Sequence, residues 1–180
     1  MSGAFSTQST GRRFRHFHSG ICDALEVFCG GLTVSDFGAG IGLYADFLSG
    51  RCPAVYAYDG TPGISDITGG LVQEVNLAEP CELTITQAAY SIEVGEHIPA
   101  EYCGAFVDNL CRHFTELLVV SWAKRGQRGR GHVNCLDPNE VRELFEARGL
   151  LVSDALTAGV RSLAPDAFSS KLWVFRKVLP

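Results

Sequence analysis

Two short stretches of this chain carry residue types and spacings that can do chemistry. The first is Asp36-Phe37-Gly38-Ala39-Gly40-Ile41-Gly42, which joins an apolar run to the start of a helical pattern. A second apolar run, Ala54 to Tyr58, then ends in Asp59 and Gly60. Glycines at alternate positions let the backbone turn tightly and let a ligand approach where a Cβ would block it. A carboxylate at the tip of the next strand accepts hydrogen bonds from both hydroxyls of a ribose. Gly38, Gly40, Gly42, Asp59 and Gly60 are therefore expected to hold an adenosine-type ligand. The second stretch is Ser91-Ile92-Glu93-Val94-Gly95-Glu96-His97-Ile98-Pro99. Glu93 could hold a substrate, while Glu96 and His97 could take a proton from a hydroxyl or an amine. A helix-capping or surface role is the alternative for His97.

The glycine spacing narrows the ligand. A dinucleotide fingerprint is G-x-G-x-x-G, with the helix N-terminus left for pyrophosphate. Here the third glycine comes one position early, and Leu43 stands where that pattern wants glycine. Asp36 also puts a negative charge beside the loop, which suits an amino group and a sulfonium better than a pyrophosphate. At these residues the chain resembles the class I, Rossmann-like S-adenosylmethionine-dependent methyltransferases, whose first motif is a strand ending in Asp or Glu, one apolar residue, then G-x-G-x-G. S-x-E-V-x-E-H-I-P segments similar to the second stretch occur in methyltransferases of this type.

The resemblance implies S-adenosylmethionine as cofactor. Asp36, Gly38 and Gly40 would line its methionine part and Asp59 its ribose. A polar residue after the third strand, Asn76 or Glu74, would meet the adenine amine. It also implies that Glu93, Glu96 and His97 lie near the transferred methyl, where Glu93 could hold the cofactor ammonium instead of the substrate. Lys124 to Asn134 would overhang the same edge of the sheet. Its four cations (Lys124, Arg125, Arg128 and Arg130) could attract an anionic substrate group or be a solvated loop, and His132 could point into the pocket.

Composition sets the limits. The chain has 180 residues and a net charge of -5, enough for one domain with a substantial core and a balance that disfavours wholesale nucleic-acid binding. No aromatic residues interleave the basic segment, which disfavours RNA further. No apolar run approaches the ~18 residues of a membrane span. Seven cysteines form no C-x-x-C pair, so neither a zinc-site spacing nor a compact disulfide framework is visible, and no metal is expected. Free thiols fit a reducing compartment, and the expectation is a cytoplasmic protein. Arg12, Arg13 and Arg15 in an acid-free start faintly resemble a mitochondrial transit segment, against which a plain tail is preferred.

The elements that must position these residues follow from periodicity. Residues 1–13 read as a flexible tail and 14–180 as one domain. Phe14, Phe17, Ile21, Leu25 and Phe28 mark an amphipathic helix ended by Gly30-Gly31. Strands are expected at 32–37, 54–58, 72–75, 88–94 and 117–122, and helices at 41–48 and 100–114. Asp137-Pro138-Asn139-Glu140 is a helix start with an N-cap, a proline at the first position and a capping box. Segments 150–156 and 171–178 read as two closing strands joined by a loop. This alternation predicts an α/β Rossmann-like methyltransferase sandwich: a mostly parallel seven-stranded sheet, helices on both faces and a C-terminal antiparallel hairpin.

The function expected is methyl transfer to a small molecule, possessing an anionic group if the basic segment takes part. The alternative is a catalytically inactive module that keeps the fold and the cofactor. A nicotinamide-dependent reductase is disfavoured by the glycine spacing and by the lack of any Tyr-x-x-x-Lys pair. Methyl transfer asks mainly for alignment of an acceptor with an already activated sulfonium, so substrate and oligomeric state are not readable.

Overall fold

A computed structural model describes residues 17–177; the tail, Phe14 and the transit-like segment lie outside them. Seven strands, β1 (Val34–Phe37), β2 (Val55–Asp59), β3 (Val72–Glu74), β4 (Thr86–Ile92), β5 (Phe114–Ser121), β6 (Leu150–Val152) and β7 (Leu172–Lys177), form one sheet in the order β3-β2-β1-β4-β5-β7-β6. β1 to β5 run parallel, while β7 is antiparallel to both β5 and β6. The order reverses between β1 and β4. Beyond their carboxyl ends, such a switch point opens the crevice where ligands bind in this architecture.

Helices α1 (Ser19–Cys29), α2 (Leu43–Ser49), α3 (Ile64–Ile67), α4 (Cys103–Arg112), α5 (Pro138–Glu146), α6 (Asp154–Leu163) and α7 (Asp166–Ser169) cover the sheet. Alternation along the strands divides the core. Phe37, Leu118, Val120 and Phe175 face Phe106, Leu110 and Phe145 of α4 and α5. Val34, Tyr90, Val119 and Val174 face Ile21, Leu25, Leu48 and Val160 of α1, α2 and α6. The unbroken apolar run of β5 is thus explained by burial on both faces.

The capping box forms as expected, with Glu140 accepting the Asp137 N–H at 2.8 Å. The antiparallel end of the sheet also forms, but its connection is not a loop. β6 stops at Val152, and Ser153 starts α6, so the strand expected over 150–156 overruns into a helix. Leu156, Thr157 and Val160 recur at helical spacing and pack in the α1 layer, which a strand could not achieve. β4 likewise ends at Ile92 rather than Val94, because Glu93 leaves the extended conformation at φ 56°.

Candidate active site

The glycine loop leaves β1 at the switch point, and its three glycines do different work. All have positive φ, at 86°, 59° and 82° for Gly38, Gly40 and Gly42. A Cβ on Gly38 would lie 2.4 Å from Val94, and one on Gly42 would lie 2.9 Å from Leu71 and Val72. Those two let the loop close against its neighbours. A Cβ on Gly40 meets nothing within 4 Å. Gly40 alone of the three faces open space, as a ligand-facing glycine must.

Asp59 is aimed at that loop. Its Oδ2 accepts the Gly40 N–H at 2.8 Å, and its Oδ1 accepts the Thr61 N–H at 2.9 Å. Each oxygen keeps a second lone pair, so a held carboxylate can still accept hydroxyl donors. Gly60 lies behind it, where a Cβ would come 3.4 Å from the Val75 carbonyl and 3.9 Å from the Asn76 Cα. The two candidates after β3 separate. Glu74 is tied to the Gly63 N–H at 2.7 Å, whereas Asn76 uses its Oδ1 for the Ala78 N–H at 3.2 Å and has its amide NH₂ left to donate.

Asp36 lies under the loop, 2% exposed, its carboxylate accepting the Tyr90 hydroxyl at 2.9 Å. Burial pushes its pKa up to about 8, against the Tyr90 hydrogen bond and with help from the Asp59 charge. Beneath Gly38, Asp36 thus belongs to the foundation of the loop.

Glu93 is the non-glycine residue with positive φ among those described. Its N–H reaches the Ser121 Oγ at 3.0 Å, and Ser121 Oγ donates to its Oε1 at 2.8 Å. Its Oε2 pairs with the ammonium of Lys171, a residue only 4% exposed. Lys171 also donates to Gln127 Oε1 at 3.3 Å and sits 4.8 Å from the Phe168 ring centroid. These contacts hold a backbone conformation that costs on the order of 1–3 kcal/mol. Lys171 and Gln127 carry no sequence signal; only the fold brings them to Glu93.

Glu96, His97 and His132 meet at the same edge. The turn Gly95–His97 rests on Trp122, whose ring leaves no room for a Cβ at Gly95, within 2.2 Å. The Glu96 carbonyl accepts the N–H groups of Val133 and Asn134 at 2.8 and 3.0 Å, stitching the turn after β4 to the loop after β5. The imidazoles of His97 and His132 lie edge to face, 5.0 Å between centroids. Their Nδ1 atoms face the carbonyls of Gly131 and Gln127 at 3.0 and 3.1 Å. Glu96 is fully buried, and neither of its carboxylate oxygens has a hydrogen-bond partner. Burial first and the Glu93 charge second push its pKa up to about 8, opposed by nearby backbone N–H groups and Lys171. Of the basic segment, Arg125 turns away to Glu140, donating at 2.8 Å, while Arg128 and Arg130 are exposed.

No protein-family model and no curated protein matches the sequence. Solved structures do match. Magnesium protoporphyrin IX methyltransferase (ChlM) from Synechocystis PCC 6803 with bound SAM aligns over 96% of this chain and 85% of its own, at TM-score 0.68 and 14% identity. A TehB-like SAM-dependent methyltransferase from Corynebacterium glutamicum aligns over 95% and 97%, at TM-score 0.68 and 18% identity. This chain has the class I methyltransferase fold. The [4+2]-cyclase SpnF aligns as well, over 89% of this chain and 80% of its own at TM-score 0.65 and 15% identity. The fold alone therefore does not set the reaction. Among the described residues no helix is long and apolar enough to cross a membrane.

Proposed function

We propose that this chain is an S-adenosylmethionine-dependent methyltransferase acting on a small molecule. The observation that carries the reading is the bond from Gly40 N–H to Asp59 Oδ2, which sets a ribose-binding carboxylate against the one glycine of the loop that faces open space. Bound SAM in ChlM, and bound SAH in ChlM and in the N-methyltransferase NodS, support the choice of ligand.

In this reading Asp59 takes the ribose hydroxyls, Gly60 and Asn76 border the adenine, and Gly38, Gly40 and Gly42 shape the path of the methionine part. Asp36 underlies that path, and Glu93 shares its carboxylate between Lys171 and the cofactor ammonium. The cofactor, when bound, supplies an activated methyl group. The protein then has to align an acceptor with it and exclude water. Glu96, His97 and His132 form the acceptor side. Arg128, Arg130 and Lys124 at the rim would draw an acceptor with an anionic group, whereas Arg125 is neutralised by Glu140.

Calorimetric titration with S-adenosylhomocysteine, with NADH as the comparison, tests the ligand. Binding of the first and not the second is expected; the reverse would overturn the reading. Turnover with S-adenosylmethionine and a panel of anionic and neutral acceptors tests the reaction, and tight cofactor binding with no transfer to any acceptor would favour a non-catalytic module.

A further inference from the structure

We propose that Glu96, His97 and His132 bind one divalent transition-metal ion. A carboxylate oxygen of Glu96 and one ring nitrogen from each histidine lie within 4.8 Å of one another. Ligands ~2.0–2.2 Å from a shared ion stand somewhat closer together than that. The closure falls to the His132 loop, where Gly126 and Gly131 have φ of 80° and 78° and where a Cβ on Gly129 would fall 2.1 Å from the His132 ring. The loop is shaped around that imidazole.

Two independent features point to a cation. The first is Glu96, a fully buried carboxylate with no partner for either oxygen, aimed into the cluster. A buried polar group without a hydrogen bond is costly, and coordination to a cation satisfies a carboxylate oxygen. The second is the setting of the imidazoles. A backbone carbonyl faces Nδ1 of each ring, at 3.0 Å for His97 and 3.1 Å for His132. That favours the tautomer with its proton on Nδ1 and its lone pair on Nε2, the arrangement in which metal-binding histidines are usually held.

The ligand chemistry selects the ion. Two imidazoles and one carboxylate suit zinc, cobalt or ferrous iron over magnesium or calcium, which prefer an all-oxygen shell. With Glu93 paired to Lys171, Glu96 is the carboxylate left to the cluster. Three protein ligands leave at least one position open, the pattern of a metal that handles substrate and not one that only braces the fold. On the methyl-transfer reading an acceptor oxygen would take that position, but the binding of the ion does not rest on that reading. Cysteine spacing gave no hint of such a site, because its ligands sit on two loops joined only by the fold.

The test uses the full chain, stripped with a chelator and titrated with Co²⁺ and Zn²⁺ by calorimetry, with the cobalt spectrum recorded alongside. One equivalent is expected to bind, with cobalt d–d bands and no thiolate charge-transfer band. Affinity should fall at least about tenfold in Glu96→Gln and in His132→Gln, each checked for folding by thermal melting, and should persist in Cys135→Ser. Cys135 is the needed control because its Sγ lies 3.7 Å from His132 Nδ1. No binding at millimolar metal, unchanged affinity in both ligand variants, or a thiolate band lost with Cys135→Ser would each overturn the proposal. S-adenosylhomocysteine titrated into the same samples separates this outcome from a failure of the cofactor reading.

Discussion

Glu93 and Lys171 form an ion pair across the open end of the sheet, although 78 positions separate them in the chain. Glu93 sits on the turn after β4, in a left-handed conformation, and Lys171 enters from the start of β7. The pair therefore fixes the turn that presents Glu96 and His97 to the last strand of the core. Lys171 is buried and Glu93 is half-buried, so removing one charge strands the other in a poorly solvated place. Lys171→Met should cost about 1–3 kcal/mol, less than for a fully buried pair because Glu93 keeps some solvent. Adding Glu93→Gln should recover part of that loss. Denaturant unfolding of both single variants and the double variant gives the coupling energy, and a value near zero would show the pair to be incidental.

Asp59→Ala should weaken S-adenosylhomocysteine binding by at least about tenfold, since charge-assisted hydrogen bonds to two hydroxyls are lost. The same substitution frees the N–H of the exposed Gly40 and that of the buried Thr61, so the melting temperature should fall modestly while the fold is kept. Calorimetry well below the melting temperature of a variant that still unfolds cooperatively checks it. Undiminished affinity would remove the ribose role.

The glycines of the loop should respond in opposite ways. Gly38→Ala drives a Cβ to within 2.4 Å of Val94 and should destabilise the fold, visibly in thermal melting. At Gly40 a Cβ meets no protein atom within 4 Å, so the main cost of Gly40→Val to the fold is the strain of a branched residue at φ 59°. It should abolish S-adenosylhomocysteine binding in a protein that still melts cooperatively. A Gly40→Val variant that binds normally would mean the ligand passes elsewhere.

The contrast between these residues shows what the sequence could reveal. Asp36, the three glycines and Asp59 belong to one strand–turn–helix–strand unit, so their spacing reports their geometry directly. The spacing does not divide the work of the three glycines: that Gly38 and Gly42 also make room for Val94, Leu71 and Val72 is visible only in the packing of neighbouring segments. His97 and His132 were expected at one edge because their loops leave adjacent parallel strands, β4 and β5, and their rings do meet. Lys171 and Gln127 were invisible for the opposite reason: their partner is reached through the antiparallel end of the sheet and a loop with no periodic signal. α6 is not legible in the sequence because Leu150 to Leu156 reads as an apolar run broken only at Ser153-Asp154, and that break is the helix start.

Asp36 makes a prediction about pH that needs no substrate. Its pKa rises from 3.8 in the open to about 8 in the fold, chiefly through burial. Between those values the native state holds a proton that the unfolded chain has released, so native stability from this group falls as pH rises through the window and levels off above it. Asp36→Asn carries no titrating proton and can still accept the Tyr90 hydroxyl through its amide oxygen. Other buried acids shift both proteins alike, so the informative quantity is the difference between them. The variant should gain on the parent steadily from about pH 5 to pH 8. In a domain of this size each kcal/mol is worth about 2–4 °C, so the melting temperatures should diverge by roughly 4 °C or more across that range. A difference that stays constant with pH would show that Asp36 remains ionised beneath the loop, its charge carried by the Tyr90 hydroxyl, and the loop would then rest on a buried negative charge instead of a neutral acid.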